Sequence, residues 1–273
     1  MKKKWSRIPH ERWQIDGKEQ IKLKNGKKVS WMNVADEATG AHLNIFVDAH
    51  QTVGEMDAST ATQYINKSFE RWGLPKEIKV DNGHPYVNTR GRKSPTKTIL
   101  WWVGLGIEVI QNTPRCPQQN GIVECLQGTM KRWSNPKDQQ SIETLQKRLE
   151  EESDFQRNHY RIPSRNYKTR TELYPGLENN ARIYKSKNFK MKLVYDFLAK
   201  KVYHRSIKRG GNVQFMGIYD YIGNKYVGLN VTITFDPGDK LWYVRRENGA
   251  LLKTISKGVP SKKDIVNFAL GKS

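Results

Sequence analysis

Apolar and polar positions interleave along the first fifty residues. In RWQIDGKEQIKL, KKVSWMNVADEATG and AHLNIFVDAH, β-branched and aromatic residues mix with polar ones, and NG and ATG mark turns. That pattern predicts three consecutive strands. Asp36, Thr39 and Gly40 fall between the second and third and predict a hairpin turn. The period then changes. DASTATQYINKSFERWG carries apolar residues at helical spacing, with Asp57 or Ser59 as N-cap and Gly73 and Pro75 as the stop. EIKVD predicts a short buried strand ending in an acid, TILWWVGLG a short helix and IEVIQN another strand. Helices follow at about 119–133, closed by Asn135-Pro136, and across SIETLQKRLEEESDFQRNHY, whose Glu/Lys spacing suits a solvated face. Three antiparallel strands, then helix, strand, helix, strand and helix, describe a mixed α/β sheet covered by helices.

From about Lys185 the pattern shifts again. KSKNFKMK reads as the start of a basic linker over 185–200. Beyond it, VYHRSIKRGG, NVQFMGIYDYIG, KYVGLNVTITFD and LWYVRRENGALLKTI are short strands separated by GG, GN, DPGD and ENG turns. Such spacing predicts a small all-β barrel or sandwich over 201–273.

Charge narrows the class of partner. The 273 residues hold 48 Lys and Arg against 27 Asp and Glu, a formal net charge of +21. A surplus of that size points to a polyanion, nucleic acid first. With 36% hydrophobic residues and eight Trp, the chain has the material for a real core. Cys116 and Cys125 are the two cysteines, and no CxxC pair exists. A disulfide framework and a Cys-rich zinc site are thereby excluded, and a reducing compartment is expected. MKKKW is followed by no apolar stretch of signal-peptide type, and no run approaches the length of a membrane span. The expectation is a cytoplasmic, nucleoid-associated protein.

Three acids stand out by position. Asp16 lies in the first strand, Asp81 closes the fourth and precedes Asn-Gly, and Glu124 sits on the helix after the fifth. In a mixed sheet of this order the end of strand four lies beside the middle of strand one, and the following helix can bring a carboxylate to both. Three convergent carboxylates make an oxygen cage for Mg²⁺ or Mn²⁺. Two such ions about 3.5–4 Å apart support in-line phosphoryl displacement. Composition and spacing alone leave the choice open among 27 acids. Asp36 reads as a turn residue, Asp57 as an N-cap and Asp48 as structural.

WQID, KVDNG, TPRCPQQNGIVECLQGTMKRW and NHYRIPSRNYKTRTELYP, in that order, resemble the retroviral-integrase-like DDE transposases and integrases of bacterial insertion sequences. The resemblance runs from about Glu11 to Pro175. It implies an RNase H-like catalytic core over 1–184, with Asp16, Asp81 and Glu124 as the catalytic and Mg²⁺-binding residues. It implies two ions, Mn²⁺ substituting, and a DNA-bound homo-oligomer that cuts DNA ends and transfers strands. A small SH3-like barrel over 201–273 is expected to bind DNA. The chain departs from the family in three places. Forty-two residues separate Asp81 from Glu124, more than is common, the surplus falling in the basic NTRGRKSPTKT. Ile162 stands between Arg161 and Pro163 of the terminal motif. The N-terminal helix-turn-helix or zinc module common in the family has no counterpart, so end recognition falls to the C-terminal domain, a separate end-recognition or targeting protein, or a longer parent chain.

Several residues are candidates for DNA contact. Lys131, seven residues after Glu124 and so on its helix face, matches a family lysine that touches the DNA end, and Arg132 is next. A solvated helix end is the alternative for both. Gln118, Gln119 and Asn120 carry amides suited to phosphate oxygens or to shaping the loop, Asn120 as an N-cap. Arg92 and Lys93 in the basic loop, Lys208 and Arg209 near the GG turn, and the arm Lys2–Lys4 complete the set. Tyr203, His204, Arg205, Trp242, Tyr243, Arg245 and Arg246 mix aromatic and basic groups, as stacking faces and barrel cores both do. His84 reads as a loop histidine and Cys125 as a core thiol. Two other classes share this residue set, a metal-dependent nuclease of the same fold and a non-catalytic DNA-binding protein.

Overall fold

The computed structural model describes residues 5–81, 83, 85–86, 94–113 and 120–272. Strands β1 (Arg12–Lys22), β2 (Lys28–Asp36), β3 (Ala41–Asp48), β4 (Glu77–Val80) and β5 (Glu108–Gln111) form one sheet in the order β3-β2-β1-β4-β5. The hairpin partners β1–β2 and β2–β3 are antiparallel, while β1–β4 and β4–β5 are parallel. This is the mixed five-stranded sheet expected from the hydrophobic pattern.

Helices cover both faces. On one, Trp13 and Ile15 of β1 and Met32 and Val34 of β2 pack with Ile65 and Phe69 of α1 (Ala58–Trp72) and Leu100 and Trp101 of α2 (Lys97–Gly104). Asp57 caps α1 by accepting from the Ser59 and Thr60 amides, the role its sequence position predicts. On the other face, Trp31, Ile45 and Val47 pack against Met130 of α3 (Gly121–Ser134) and Leu145 and Leu149 of α4 (Ile142–Asn158). Strand period does the sorting. Trp13 and Ile15 of β1 enter the α1 side, and Arg12, Gln14 and Asp16 point to the α3 side; past the register shift between Lys18 and Ile21, Ile21 packs on the α3 side instead. A single-turn helix α5 (Arg170–Leu173) follows.

The segment read as a linker is structured. Met191–Ala199 forms helix α6, because Val194 and Leu198, four apart, bury one face. The C-terminal strands β6 (Val202–Ser206), β9 (Asn230–Asp236), β10 (Leu241–Arg246) and β11 (Leu251–Ile255) make an antiparallel sheet in the order β11-β10-β9-β6. Strands β7 (Asn212–Phe215) and β8 (Ile218–Tyr221) form a separate hairpin. A last helix, α7 (Lys262–Leu270), was not predicted among these strands, although Ser261 caps it and Gly271 ends it at φ 64°. Ile265 and Ala269 of α7, with Tyr203, Ile233 and Trp242 of the small sheet, belong to the same apolar cluster as α1 and α2. Among the described residues no helix is long and apolar enough to cross a membrane.

Candidate active site

Parallel pairing of β1 with β4 sets Ile15 opposite Val80 and stops there. Asp16, still within β1, and Asp81, just past the end of β4, are the next residues along, so both fall on the rung just beyond that last pair, with Asn33 of β2 on the other flank of Asp16. Helix α3 is tied over this rung at two points. Gln14 Oε1 accepts the Val123 amide at 3.2 Å, and Gln127 Nε2 donates to Asp16 Oδ2 at 3.0 Å. Glu124 lies between those tethers, next to Val123 and three residues before Gln127, and its residue is exposed.

Gln14 has a support of its own. Its Nε2 donates to Glu37 Oε2 at 2.7 Å, and Glu37 is buried. Glu37 Oε1 also accepts from Arg12 Nη1 at 2.7 Å and from the Ser6 amide at 2.9 Å, while Arg12 Nε reaches Glu77 Oε2 at 2.6 Å. A buried carboxylate is stable only when so paired. The cluster therefore fixes Gln14, and Gln14 fixes the first turn of α3.

Asp16, Asp81, Glu124 and Gln127 line one cleft of about 740 Å³, together with Tyr86 and Val53. Gly17 makes that wall fit: a Cβ there would stand 2.4 Å from Val53 Cγ2. Burial pushes the Asp16 carboxyl up to about 6. The Gly17 amide and Gln127 pull it down, and the negative charges of Glu124 and Asp81 push it further up. Burial, aided by the Asp16 charge, likewise raises the Tyr86 hydroxyl above its usual value. The three carboxylates thus feel one another across the cleft. Among the described residues, however, no three His, Cys, Asp or Glu side chains are gathered tightly enough to form a ready metal cage. The donors still fit a hard divalent cation. All are carboxylate oxygens, and the repulsion that raises Asp16 is what such an ion relieves.

The other predicted residues are distributed as follows. Asn120 occupies the N-cap position of α3 but makes no side-chain cap bond; at φ −106° and ψ 13° its backbone leaves the extended region that capping needs. It is 5% exposed, and its Oδ1 has no partner among the described residues. Lys131 and Arg132 are exposed on the last turn of α3, and Arg132 Nη2 lies 3.4 Å from Thr129 Oγ1. Cys125 is an exposed free thiol and not a core one, because Val123 and Leu126 take the buried face. Lys208 and Arg209 are exposed between β6 and β7. Tyr203 and Trp242 are core, and Arg245 stacks on Tyr243 at 4.6 Å. Asp36 is a buried turn acceptor for the His10 amide and for Thr39, and Asp48 takes the His50 amide. Lys2–Lys4, His84, Arg92, Lys93, Gln118 and Gln119 lie outside the described residues.

Sequence reading missed Gln14 and Gln127. Their signal was periodic: Gln14 is two before Asp16 on one strand face, and Gln127 is three after Glu124 on one helix face.

No protein-family model matches the chain. Among solved structures it is similar to the HTLV-2 integrase catalytic core domain in complex with magnesium, in a trimeric form. That match has 14% identity and a TM-score of 0.45 over 61% of this chain and 97% of that one. It is also similar to the simian T-cell lymphotropic virus intasome in complex with PP2A regulatory subunit B56 gamma, at 16% identity and TM-score 0.46 over 84% of this chain and 74% of that one. A third is the catalytic core domain of BIV integrase, at 19% identity and TM-score 0.42 over 61% and 94%.

Proposed function

We propose that the chain is a DDE-type DNA transposase or integrase that cleaves DNA ends and transfers the freed strands, on an RNase H-like core of the bacterial insertion-sequence kind. The observation that carries this is the register: Asp16 and Asp81 directly follow the last paired residues of two adjacent parallel strands, Ile15 and Val80, and Gln127 ties the helix bearing Glu124 to Asp16 at 3.0 Å. The raised Asp16 carboxyl and the +21 charge support a cation-demanding site and a polyanionic substrate.

Asp16, Asp81 and Glu124 would hold two Mg²⁺ ions, or Mn²⁺ in their place, which supply activation of the attacking oxygen and stabilisation of the leaving one. In the first step water attacks phosphorus, its P–O bond forms as the P–O3′ bond breaks, and a 3′-OH is left on the DNA end. In the second, that 3′-OH attacks a target phosphodiester, one P–O bond replaces another, and a target 3′-OH is released. Bond count is conserved in the second step, so no nucleotide hydrolysis is required. Gln127 and the Gly17 amide keep Asp16 ionised against burial, and Gln14 holds the entry of α3 so that Glu124 faces the cleft.

Lys131 and Arg132 on α3, with Gln119 and Asn120 at its entry and Arg92 and Lys93 in the basic loop, are assigned to DNA backbone. The C-terminal unit, as a small SH3-like barrel, is assigned a further DNA contact through Lys208 and Arg209. Two DNA ends brought together imply a homo-oligomer, with end choice shared with a separate recognition or targeting protein. The test is a Mn²⁺-supported joining assay with 3′-OH duplex oligonucleotides and supercoiled plasmid. Asp81→Asn and Glu124→Gln are each expected to abolish joining and nicking while leaving the fold intact by circular dichroism. Retention of joining by Asp81→Asn would sink the assignment, and nicking without joining by the wild type would favour a nuclease.

A further inference from the structure

The chain from Arg182 to Lys190 crosses the end of the main sheet away from the carboxylates. It passes Leu74, just before β4, and Leu105 and Gly106, just before β5, whereas Asp81 follows β4. β4 has four residues, so its two ends stand about 10 Å apart at 3.3 Å per residue.

This segment is nailed down from beneath. The Arg182 guanidinium donates to the Pro75 carbonyl and, at 2.9 Å, to the Gly106 carbonyl, and the Arg182 carbonyl accepts the Leu74 amide at 2.8 Å. Tyr184 donates to Asn66 Oδ1 at 2.7 Å. Phe189 is buried in the notch left by Gly104, where a Cβ would meet its ring at 2.1 Å, and the Lys190 amide donates to the Gly104 carbonyl at 2.8 Å. The residues between these anchors face outward. Ile183 is 65% exposed, and Lys185, Lys187 and Lys190 are exposed and, among the described residues, have no ion-pair partner. All four border a groove of about 640 Å³ floored by Leu74, Leu105 and Leu193, with no acidic residue among the described residues that line it.

A flexible linker would let its lysines spread into solvent. Here the backbone is fixed at Arg182, Tyr184 and Phe189, which holds three like charges along one groove with no internal compensation. Cations carried on a fixed backbone, with no ion-pair partner among the described residues, favour a polyanion. We propose that this groove binds the phosphate backbone of a duplex segment other than the one in the carboxylate cleft, as a second DNA-binding site of the chain. The identity of the polyanion as DNA rests on the function proposed above. An acidic protein segment is the competing occupant, and the strong charge surplus of the chain argues for the nucleic acid.

The test is fluorescence anisotropy of a 30-base-pair duplex with the full chain from 50 to 200 mM salt, for wild type and Lys185→Gln/Lys187→Gln/Lys190→Gln. Loss of three phosphate contacts is expected to lower the slope of log K against log salt by about 2 to 3, and affinity at 100 mM salt by at least tenfold. A triple variant that folds as wild type by circular dichroism but keeps slope and affinity overturns the proposal. So does an unchanged DNA slope accompanied by altered self-association, which assigns the groove to protein. If the slope falls as expected while the wild type shows no Mn²⁺-dependent cleavage, the groove stands and the catalytic reading fails.

Discussion

Gln127 reaches from α3 to donate an amide N–H to Asp16 Oδ2 at 3.0 Å, one turn beyond Glu124. A helix side chain thereby stabilises the ionised form of a strand carboxylate that burial would keep protonated. Gln127→Ala removes a downward influence on Asp16, so its carboxyl should titrate higher than in the wild type. The expected result is an acid limb of Mg²⁺ binding displaced to higher pH, measured by isothermal titration across pH 5–8. Gln127→Asn should recover part of the displacement, and an unmoved limb would count against the tether.

Asp16 also makes a signed contribution to stability. Its folded value, about 6, exceeds the ordinary 3.8, so the folded chain binds the proton more tightly and loses stability as pH rises from about 3.8 to 6. Above that window the ionised group costs about 3 kcal/mol. Metal-free Asp16→Asn should therefore be the more stable protein at pH 7.5 by about 1–3 kcal/mol in urea melts. Mg²⁺ should raise the wild-type Tm and leave that of Asp16→Asn unchanged.

His42 works in the opposite direction. It is buried, with Nδ1 2.7 Å from Ser153 Oγ and Nε2 2.9 Å from Asn33 Oδ1. Burial, helped by Arg157, pushes it down to about 3. The unfolded chain then takes the proton first, so stability present above about 6.5 is lost as pH falls toward 3. Between about pH 4 and 6 the Asp16 and His42 slopes are opposed and of equal size. A wild-type stability profile flatter than that of either variant is expected there, His42→Gln gaining stability on acidification and Asp16→Asn losing it. Parallel profiles for all three would contradict the assignment.

Gly17 and Val53 form a testable pair. Gly17→Ala forces its Cβ against Val53, displaces the wall of the cleft and should cost about 1–3 kcal/mol. Adding Val53→Ala should return part of that, a coupling read from a double-mutant cycle.

Gln14 joins the buried Glu37 cluster to the first turn of α3. Gln14→Leu leaves one Glu37 oxygen and the Val123 amide without these bonds, at a cost of about 2–4 kcal/mol in thermal melts. In surviving protein, kcat for joining should fall more than KM for DNA rises, since the lost contact orients Glu124 and does not touch substrate.

Much of this was legible in the chain because period and punctuation agree. The β1–β3 alternation, the Asp57 cap with its Gly73 stop, and the acid closing EIKVD each carry a local physical signal, and together they set Asp16 beside Asp81. What was missed is long-range. Gln14 and Gln127 are ordinary polar residues until β1 and α3 are stacked. Helix α6 was obscured by the lysines around it, although Val194 and Leu198 kept helical spacing, and α7 by the run of strands before it, although Ser261 and Gly271 marked its ends. Arg182 and Phe189 act on partners some 80 to 110 residues away, and no local pattern announces such anchors.

β4 ends at Val80, while β1 runs on to Lys22 against β2. From Asp16 onward, β1 has thus lost its parallel neighbour, and the space that neighbour would fill opens onto the cleft that Asp16, Asp81 and Glu124 line. The cleft is a strand cut short. Its depth is set by where one four-residue strand stops, so lengthening β4 by a single rung would fill the site from below while leaving every side chain that lines it in the sequence.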